Sequence, residues 1–170
     1  MKKVLETERL ILREFNLDDV DFIIELVNNP TWIKYIGDRG VKTLEDAEKY
    51  LKSGPLKSYN DFGYGLWAVI EEDSGKLIGM CGLLKRDYLE HPDIGFAMMP
   101  EFAGNGFGFE SAKATVDFAH NQLKIDVLSA ITATYNEKSI NLLKKLGFSF
   151  DQNIKIPNDS EEVMLFKKPL

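Results

Sequence analysis

A glycine-rich loop between a strand and an amphipathic helix constrains this chain more than any other feature of its sequence. The stretch from Asp93 to Glu110 reads DIGFAMMPEFAGNGFGFE, with glycines at 104, 106 and 108. Glycines let main-chain N–H groups approach a ligand, and the first turn of a helix carries unpaired N–H groups and partial positive charge. The pattern favours a phosphate or diphosphate cradle, and a flexible turn with an incidental glycine cluster is the alternative.

The spacing in this loop excludes two common nucleotide motifs. Phe109 stands where a Gly-x-Gly-x-x-Gly fingerprint would need its last glycine, and no Gly-Lys-Ser/Thr ending follows. Glu110 lies in the first turn of the predicted helix, where a carboxylate complements the positive helix end.

The pattern of apolar residues predicts helices interleaved with a mixed, mostly antiparallel sheet, which is an α/β (α+β) fold. Capping and glycine signals predict helices that begin after Asn16, Thr43, Gly108 and Asn136. Pro30 and Pro55 are predicted to end the first two. The predicted strands cover 9–15, 66–71, 76–84, 93–99, 127–133, 148–155 and 163–166. The predicted order is β-α-α-β-β-β-α-β-α-β-β.

The length of 170 residues and the lack of repeats or linkers predict one domain over residues 1–170. A single cysteine, Cys81, excludes a disulfide framework. Cys81 lies in an apolar strand, which favours a buried, inert thiol over an acyl-carrying nucleophile. His91 and His120 are the only histidines and lie far apart, so we expect no metal site.

Net charge and hydropathy limit the classes of partner that the sequence favours. The net charge of −6 disfavours nucleic acid and mildly favours a cationic partner such as an amine, although it also simply aids solubility. No stretch has the ~18–20 apolar residues of a membrane helix, and residues 1–10 lack the apolar core of a signal peptide. We therefore expect a cytoplasmic protein with no membrane partner, as a monomer or homodimer.

Three segments together resemble the GNAT superfamily of acetyl-CoA-dependent N-acetyltransferases, in particular the branch of the ribosomal-protein-alanine N-acetyltransferases (the Rim type). The segment 7–13 reads TERLILR and is similar to the opening signature of that branch. Residues 93–96 with 100–108 resemble the coenzyme A loop of the superfamily. The segment 136–148, NEKSINLLKKLGF, is similar to the closing Asn-x-x-Ser…Leu-Gly-Phe motif.

The resemblance implies acetyl-CoA as co-substrate and assigns its binding residues. The main chain of the loop is implied to hold the diphosphate, through Ala103, Gly104, Asn105, Gly106, Phe107 and Gly108. Ala103 departs from the Gln/Arg that opens the family pattern, which implies weaker binding. The preceding strand is implied to splay from its neighbour and bind the pantetheine arm, with contacts from Phe96, Ala97, Met98, Asn136 and Ser139. A helix cap is the alternative role of Asn136.

The resemblance also implies candidate catalytic residues for amide formation. Asp93 is implied as a base acting through water, and an ordinary strand-edge aspartate is the alternative. The tyrosine that many members use as the acid is replaced by Leu143, so Ser139 is the implied acid, or alternatively a local helix hydrogen bond. Tyr135 is a possible substitute. An α-amine with a pKa of ~7.7–8.0 needs less help from a base than a lysine amine at ~10.4.

The segment 29–36 borders the acceptor pocket in the family, so Trp32 and Tyr35 are candidate acceptor-binding residues, with Tyr88 a further candidate. The alternative role of Trp32 and Tyr35 is to pack the first helices against the sheet. We expect direct acetyl transfer to a peptide α-amine or small-molecule amine in a ternary complex. The alternatives are a catalytically weak coenzyme-A-binding module and a nucleotide-binding protein.

Overall fold

One mixed sheet of eight strands organises the computed structural model, which describes residues 2–170 and leaves Met1 outside the described residues. The strands are β1 (Lys3–Glu6), β2 (Leu10–Arg13), β3 (Leu66–Glu71), β4 (Lys76–Leu84), β5 (Asp93–Met98), β6 (Val127–Ala133), β7 (Ser149–Lys155) and β8 (Glu162–Pro169). Their order across the sheet is β1-β2-β3-β4-β5-β6-β8-β7. Every neighbouring pair is antiparallel except β5 and β6. The predicted mixed, mostly antiparallel sheet is confirmed.

Six α-helices cover the sheet in the part of the chain that the structure describes. They are α1 (Val20–Asn28), α2 (Pro30–Tyr35), α3 (Leu44–Ser53), α4 (Pro55–Phe62), α5 (Phe107–Asn121) and α6 (Glu137–Lys145). The caps at Thr43 and Asn136 are confirmed, because each side chain accepts a hydrogen bond from its helix. None of the helices formed by residues 2–170 has the length and apolarity needed to cross a bilayer.

The predicted order is wrong before β3, where the structure has two strands and four helices. Pro30 and Pro55 begin α2 and α4 rather than only ending the helices before them. A proline at the first helical position loses no hydrogen bond, since that N–H has no partner within the helix. The omitted strand β1 is only four residues long and pairs with β2 at the sheet edge.

The sheet separates two layers of buried side chains. Alternate residues of β3 and β4 point to opposite faces, as the period of two requires. Trp67 and Cys81 pack with α5 and α6 on one face, whereas Ala68 and Met80 pack with α1 and α3 on the other. Both faces of the central strands are therefore covered, so a ligand reaches their main chain where two neighbouring strands part.

Candidate active site

Strands β5 and β6 separate almost as soon as they begin to pair. Along one edge, β5 is antiparallel to β4 from Asp93 to Met98. Along the other edge, the register with β6 within residues 2–170 consists of Asp93 opposite Ser129, and the Ser129 N–H donates to the Pro92 carbonyl at 2.9 Å. The main chain of residues 96–98 therefore presents polar groups to a gap between the strands rather than to a ladder.

A cavity of about 780 Å³ opens at this gap. The gap thus joins residues that lie more than 100 positions apart in the sequence. The predicted site residues that line the cavity are Trp32, Tyr35, Asp93, Phe96, Ala97, Met98, Asn136 and Ser139. Tyr88, Tyr135 and the loop 103–108 do not belong to its lining.

Asp93 is held at the start of the gap by a basic neighbour. Its side chain is 1% exposed, and the Arg86 Nε donates to both of its carboxylate oxygens, at 3.2 and 3.1 Å. Burial raises the pKa of Asp93 to about 6, although the Arg86 charge pulls it down. The carboxyl therefore titrates close to neutral pH, which suits a group that accepts a proton during a reaction.

The N-terminus of α6 brings Asn136 and Ser139 to the opposite wall. The Asn136 Oδ1 accepts a hydrogen bond from the Ser139 N–H at 3.2 Å, so the predicted cap is confirmed. Leu143, on the same helix, is buried and leaves no tyrosine hydroxyl at that position. The capping interaction that begins the helix therefore fixes the Asn136 side chain and the main chain of Ser139.

The Tyr135 side chain turns away from this wall. Its hydroxyl donates to the Lys34 carbonyl at 2.9 Å, and its ring stacks on Tyr35 with centroids 5.7 Å apart. Tyr135 therefore connects the start of α6 to the end of α2. Its hydroxyl is engaged with main chain outside the cavity.

The glycine loop lies at the surface beyond the end of β5. A turn of 3₁₀-helix over Pro100–Phe102 leads into it. Gly104 and Gly106 both have a φ of +80°, a backbone conformation that is strained for a residue with a side chain. Gly106 is the N-cap of α5 and no side chain caps that end. The Phe107 ring is buried and Asn105 has the one polar side chain of the loop, so the loop offers chiefly main-chain groups to a ligand.

The predicted acceptor residues divide into two groups. Trp32 and Tyr35 lie on α2 and line the cavity, and Trp32 is also 6% exposed and part of the core beneath it. Tyr88 lies outside the cavity, but its hydroxyl accepts a hydrogen bond from Arg86 Nη1 at 3.1 Å. Tyr88 thus touches the partner of Asp93 rather than the open space.

Sequence reasoning missed two basic residues at the site. Arg86 precedes Asp93 by only seven residues, and the pairing of opposite charges across a short loop is the signal that could have identified it. Arg9 binds Glu110 across the fold, with Nη2 to Oε2 at 2.7 Å. Nothing local in the sequence indicates that contact, because the partners are 101 positions apart.

Charged groups around the cavity balance each other. The carboxylates of its lining belong to Asp61, Asp93, Asp159 and Glu161, and the basic groups to Arg39, Lys57, Lys85 and Arg86. Among residues 2–170, no three His, Cys, Asp or Glu side chains are grouped to hold a metal ion. The cavity carries charges of both signs without an excess of either.

Cys81 is buried on β4, away from the cavity lining. Its Sγ lies 3.4 Å from the Thr115 hydroxyl. Burial raises the pKa of the thiol to about 11, so the reactive thiolate is scarce at neutral pH. The expected buried thiol is confirmed.

Known proteins match this chain over nearly its whole length. The uncharacterised N-acetyltransferase YoaA of Bacillus subtilis is 29% identical over 150 residues, which span 87% of this chain and 84% of that protein. The spermidine N-acetyltransferase of Vibrio cholerae, solved with CoA and spermine, has a TM-score of 0.78 at 20% identity, covering 96% of each chain. RimL, a ribosomal L7/L12 alpha-N-protein acetyltransferase solved with coenzyme A, has a TM-score of 0.82 at 16% identity, covering 99% of this chain and 98% of its own.

The two structural matches share the fold, and the family follows from a sequence match. The family model of the acetyltransferase (GNAT) domain matches residues 9–149, which include the β5–β6 gap, the glycine loop and α6. The chain therefore belongs to the GNAT acetyltransferase family and is an acetyl-CoA-dependent acyltransferase.

Proposed function

We propose that residues 1–170 form one acyl-CoA N-acyltransferase domain that moves the acetyl group of acetyl-CoA directly to a primary amine. The observation that carries the proposal is the gap between β5 and β6, which opens into one cavity lined by Asp93 and Ser139. The structural relatives are named for acetylating spermidine or a ribosomal protein N-terminus, and both acceptors are amines.

The residues around the gap fit coenzyme A. The polar main-chain groups of residues 96–98 have no strand partner on the β6 side, and the amides of an extended pantetheine arm would satisfy them. Asn136 and Ser139 face the same space. The N–H groups of residues 104–108 and the first turn of α5 would hold the diphosphate, since an uncapped helix N-terminus favours anions. The Ala103 N–H is not available for this role, because it donates to the Pro100 carbonyl at 3.1 Å. When bound there, acetyl-CoA supplies an acetyl group already activated as a thioester.

Asp93 serves as the base in this proposal. With a pKa of about 6, it is mostly ionised at neutral pH and can take up the proton that the amine loses, through a water molecule in the cavity. Arg86 holds both carboxylate oxygens and fixes the orientation of the group.

Ser139 is the proposed donor on the thiolate side. A serine hydroxyl is a weak acid in water, so its role is to hydrogen-bond the leaving sulfur or to relay a proton to it. The alternative of an acyl-enzyme on Cys81 is disfavoured, because that thiol is fully buried and its pKa is raised to about 11. Transfer therefore proceeds directly between the two bound substrates.

The acceptor enters on the α2 side, where Trp32 and Tyr35 line the cavity. A polyamine carries several positive charges and would gain most from an excess of carboxylates. The four carboxylates of this cavity are matched by four basic groups. This balance favours an acceptor with a single amine, such as a peptide α-amine or a small monoamine, over a polyamine.

A thiol-release assay with an amine panel tests the proposal. Acetyl-CoA is incubated with the protein and with peptides bearing free α-amines, small monoamines or spermidine, and products are identified by mass spectrometry. We expect acetylation of at least one monoamine or peptide, with faster turnover than for spermidine. Clear acetyl-CoA binding without acetylation of any amine would instead support the catalytically weak binding module.

A further inference from the structure

Arg9 joins the first hairpin to the glycine loop and to α5 through three polar contacts and one ring contact of its guanidinium group. Its Nη1 donates to the Asn105 carbonyl at 3.0 Å, and its Nε and Nη2 each lie 2.7 Å from Glu110 Oε2. The same group lies over the Phe107 ring, 4.5 Å from its centroid. The side chain thus touches the loop, the first residue of α5 and the first turn of that helix.

Glu110 anchors this arrangement from the helix side. Its Oε1 accepts hydrogen bonds from the Thr7 hydroxyl at 2.6 Å and from the Arg9 N–H at 3.0 Å. Burial alone would raise the pKa of Glu110, but the hydrogen bonds from Thr7 and Arg9 outweigh it and lower the pKa. The carboxylate is therefore fully charged and points toward the hairpin.

The bond to Asn105 determines where a neighbouring N–H group points. The Asn105 carbonyl and the Gly106 N–H belong to the same peptide group, and in a planar trans peptide the C=O and the N–H point in opposite directions. Because Arg9 holds the carbonyl, the Gly106 N–H is directed away from Arg9. Gly106 has a φ of +80°, and a glycine could leave this conformation easily if Arg9 did not hold the adjoining peptide group.

We propose that Arg9 is a positioning residue for the diphosphate of acetyl-CoA. It fixes the 105–106 peptide with the N–H outward, and it neutralises Glu110, whose charge would otherwise repel an anion at the start of α5. The inference rests on the proposed function, which puts the diphosphate at this loop. It adds a specific residue, 96 positions away from Asn105, that keeps the loop ready to bind.

Two ligands separate this role from a general effect on folding. Acetyl-CoA carries the diphosphate, whereas S-acetylpantetheine has the same thioester and arm without it. Calorimetry measures the affinity for acetyl-CoA, and ligand-observed NMR measures the affinity for S-acetylpantetheine. The variant is Arg9→Met, and the control is Lys2→Met, which removes an exposed ion pair with Glu14 on the same hairpin.

We expect Arg9→Met to weaken acetyl-CoA binding about tenfold, the size of one lost charge-assisted interaction, and to leave S-acetylpantetheine within twofold of wild type. Arg9→Lys keeps the charge but loses the forked guanidinium that spans Asn105 and Glu110. Its acetyl-CoA affinity should therefore lie between those of wild type and Arg9→Met. Lys2→Met should bind both ligands as wild type does. The melting temperatures of all variants are measured alongside.

Unchanged acetyl-CoA affinity in both Arg9 variants would overturn the inference, as would equal losses for the two ligands. The proposed site itself is tested by the wild type alone. If wild type binds acetyl-CoA no more tightly than S-acetylpantetheine, the diphosphate is not held at all and the site is wrong. If wild type favours acetyl-CoA and the Arg9 variants favour it to the same extent, only the role of Arg9 fails.

Discussion

Single residues explain why the segment 7–13 stands out in the sequence. Thr7 and Arg9 bind Glu110 on α5, and Arg13 makes two hydrogen bonds of 2.8 Å to Asp19. These contacts tie the first hairpin to α5 and to the turn before α1. The sequence showed the residue types, but their partners depend on tertiary packing. The Arg9–Glu110 contact spans 101 positions and has no local signal, whereas the short spacing of Arg86 and Asp93 does offer one.

The role of Asp93 predicts a specific pH dependence. Its pKa is raised to about 6, so protonation below that pH removes the base. When kcat/KM is calculated on the concentration of neutral amine, it should therefore fall about tenfold per pH unit as the pH drops below 6. Asp93→Asn should lower kcat/KM at pH 7 about a hundredfold and abolish this acidic limb. The measurement is a pH–rate profile with the best acceptor from the amine panel.

An exposed aspartate on α1 provides the control for that substitution. Asp21→Asn makes the same chemical change at the surface and should leave the profile intact. A wild-type rate and an unchanged acidic limb in Asp93→Asn would show that Asp93 only pairs with Arg86.

At the scale of elements, the sequence predicted regular strands well and the helices that begin at a proline poorly. The bounds of β3, β4 and β6 agree with the prediction to the residue. Polar turns and apolar runs mark these strands locally. Helices α2 and α4 were missed because a proline that ends one helix also begins the next here. A single residue, Asn29 or Gly54, separates the two helices of each pair, which propensity alone does not indicate.

The glycine loop is an element whose conformation and function can be separated by substitution. Gly104 has a φ of +80° with open space around it, so Gly104→Ala should cost about 1 kcal/mol of stability through backbone strain. Relief of that strain would rotate the neighbouring N–H groups. We therefore expect a higher dissociation constant for acetyl-CoA, measured by calorimetry.

The turn between β3 and β4 contains the matched control. Gly75 has a φ of +67° and equally open surroundings, so Gly75→Ala should lower the melting temperature by a similar amount without affecting acetyl-CoA binding. Wild-type affinity in Gly104→Ala would argue against the loop as the diphosphate site.

The start of α6 combines a cap with a proposed ligand contact, and one substitution distinguishes them. Serine caps helices about as well as asparagine, so Asn136→Ser should keep the stability of α6. The shorter hydroxyl would not reach into the gap as the amide does, and we expect acetyl-CoA affinity to fall about threefold to tenfold. The measurements are melting temperature and calorimetric affinity.

Asn16→Ser makes the same exchange at another cap, where the Asn16 side chain accepts from the Asp18 N–H at 2.8 Å. This variant should change neither the melting temperature nor the acetyl-CoA affinity appreciably. If both variants bind acetyl-CoA like wild type, the function of Asn136 is confined to the helix.

Across the whole molecule, the two halves of the site differ in how far the sequence predicts them. The proposed coenzyme side is built from contiguous segments, β5 with its loop and α6, so motifs predicted Phe96, Asn136 and Ser139, and all three line the cavity. The proposed acceptor side comprises α2, the stretch after it and the loop between β7 and β8. Its charged members, Arg39 and Glu161, come to line one cavity only in the folded chain. No local pattern indicates which of them face one another.

A crystal structure of the protein with bound acetyl-CoA tests the central claim most directly. It should show the diphosphate oxygens about 2.7–3.2 Å from main-chain nitrogens of residues 104–108, and the thioester in the gap between Asp93 and Ser139. Acetyl-CoA bound at any other surface, or with its diphosphate free of the loop while the arm lies outside the β5–β6 gap, would contradict the account.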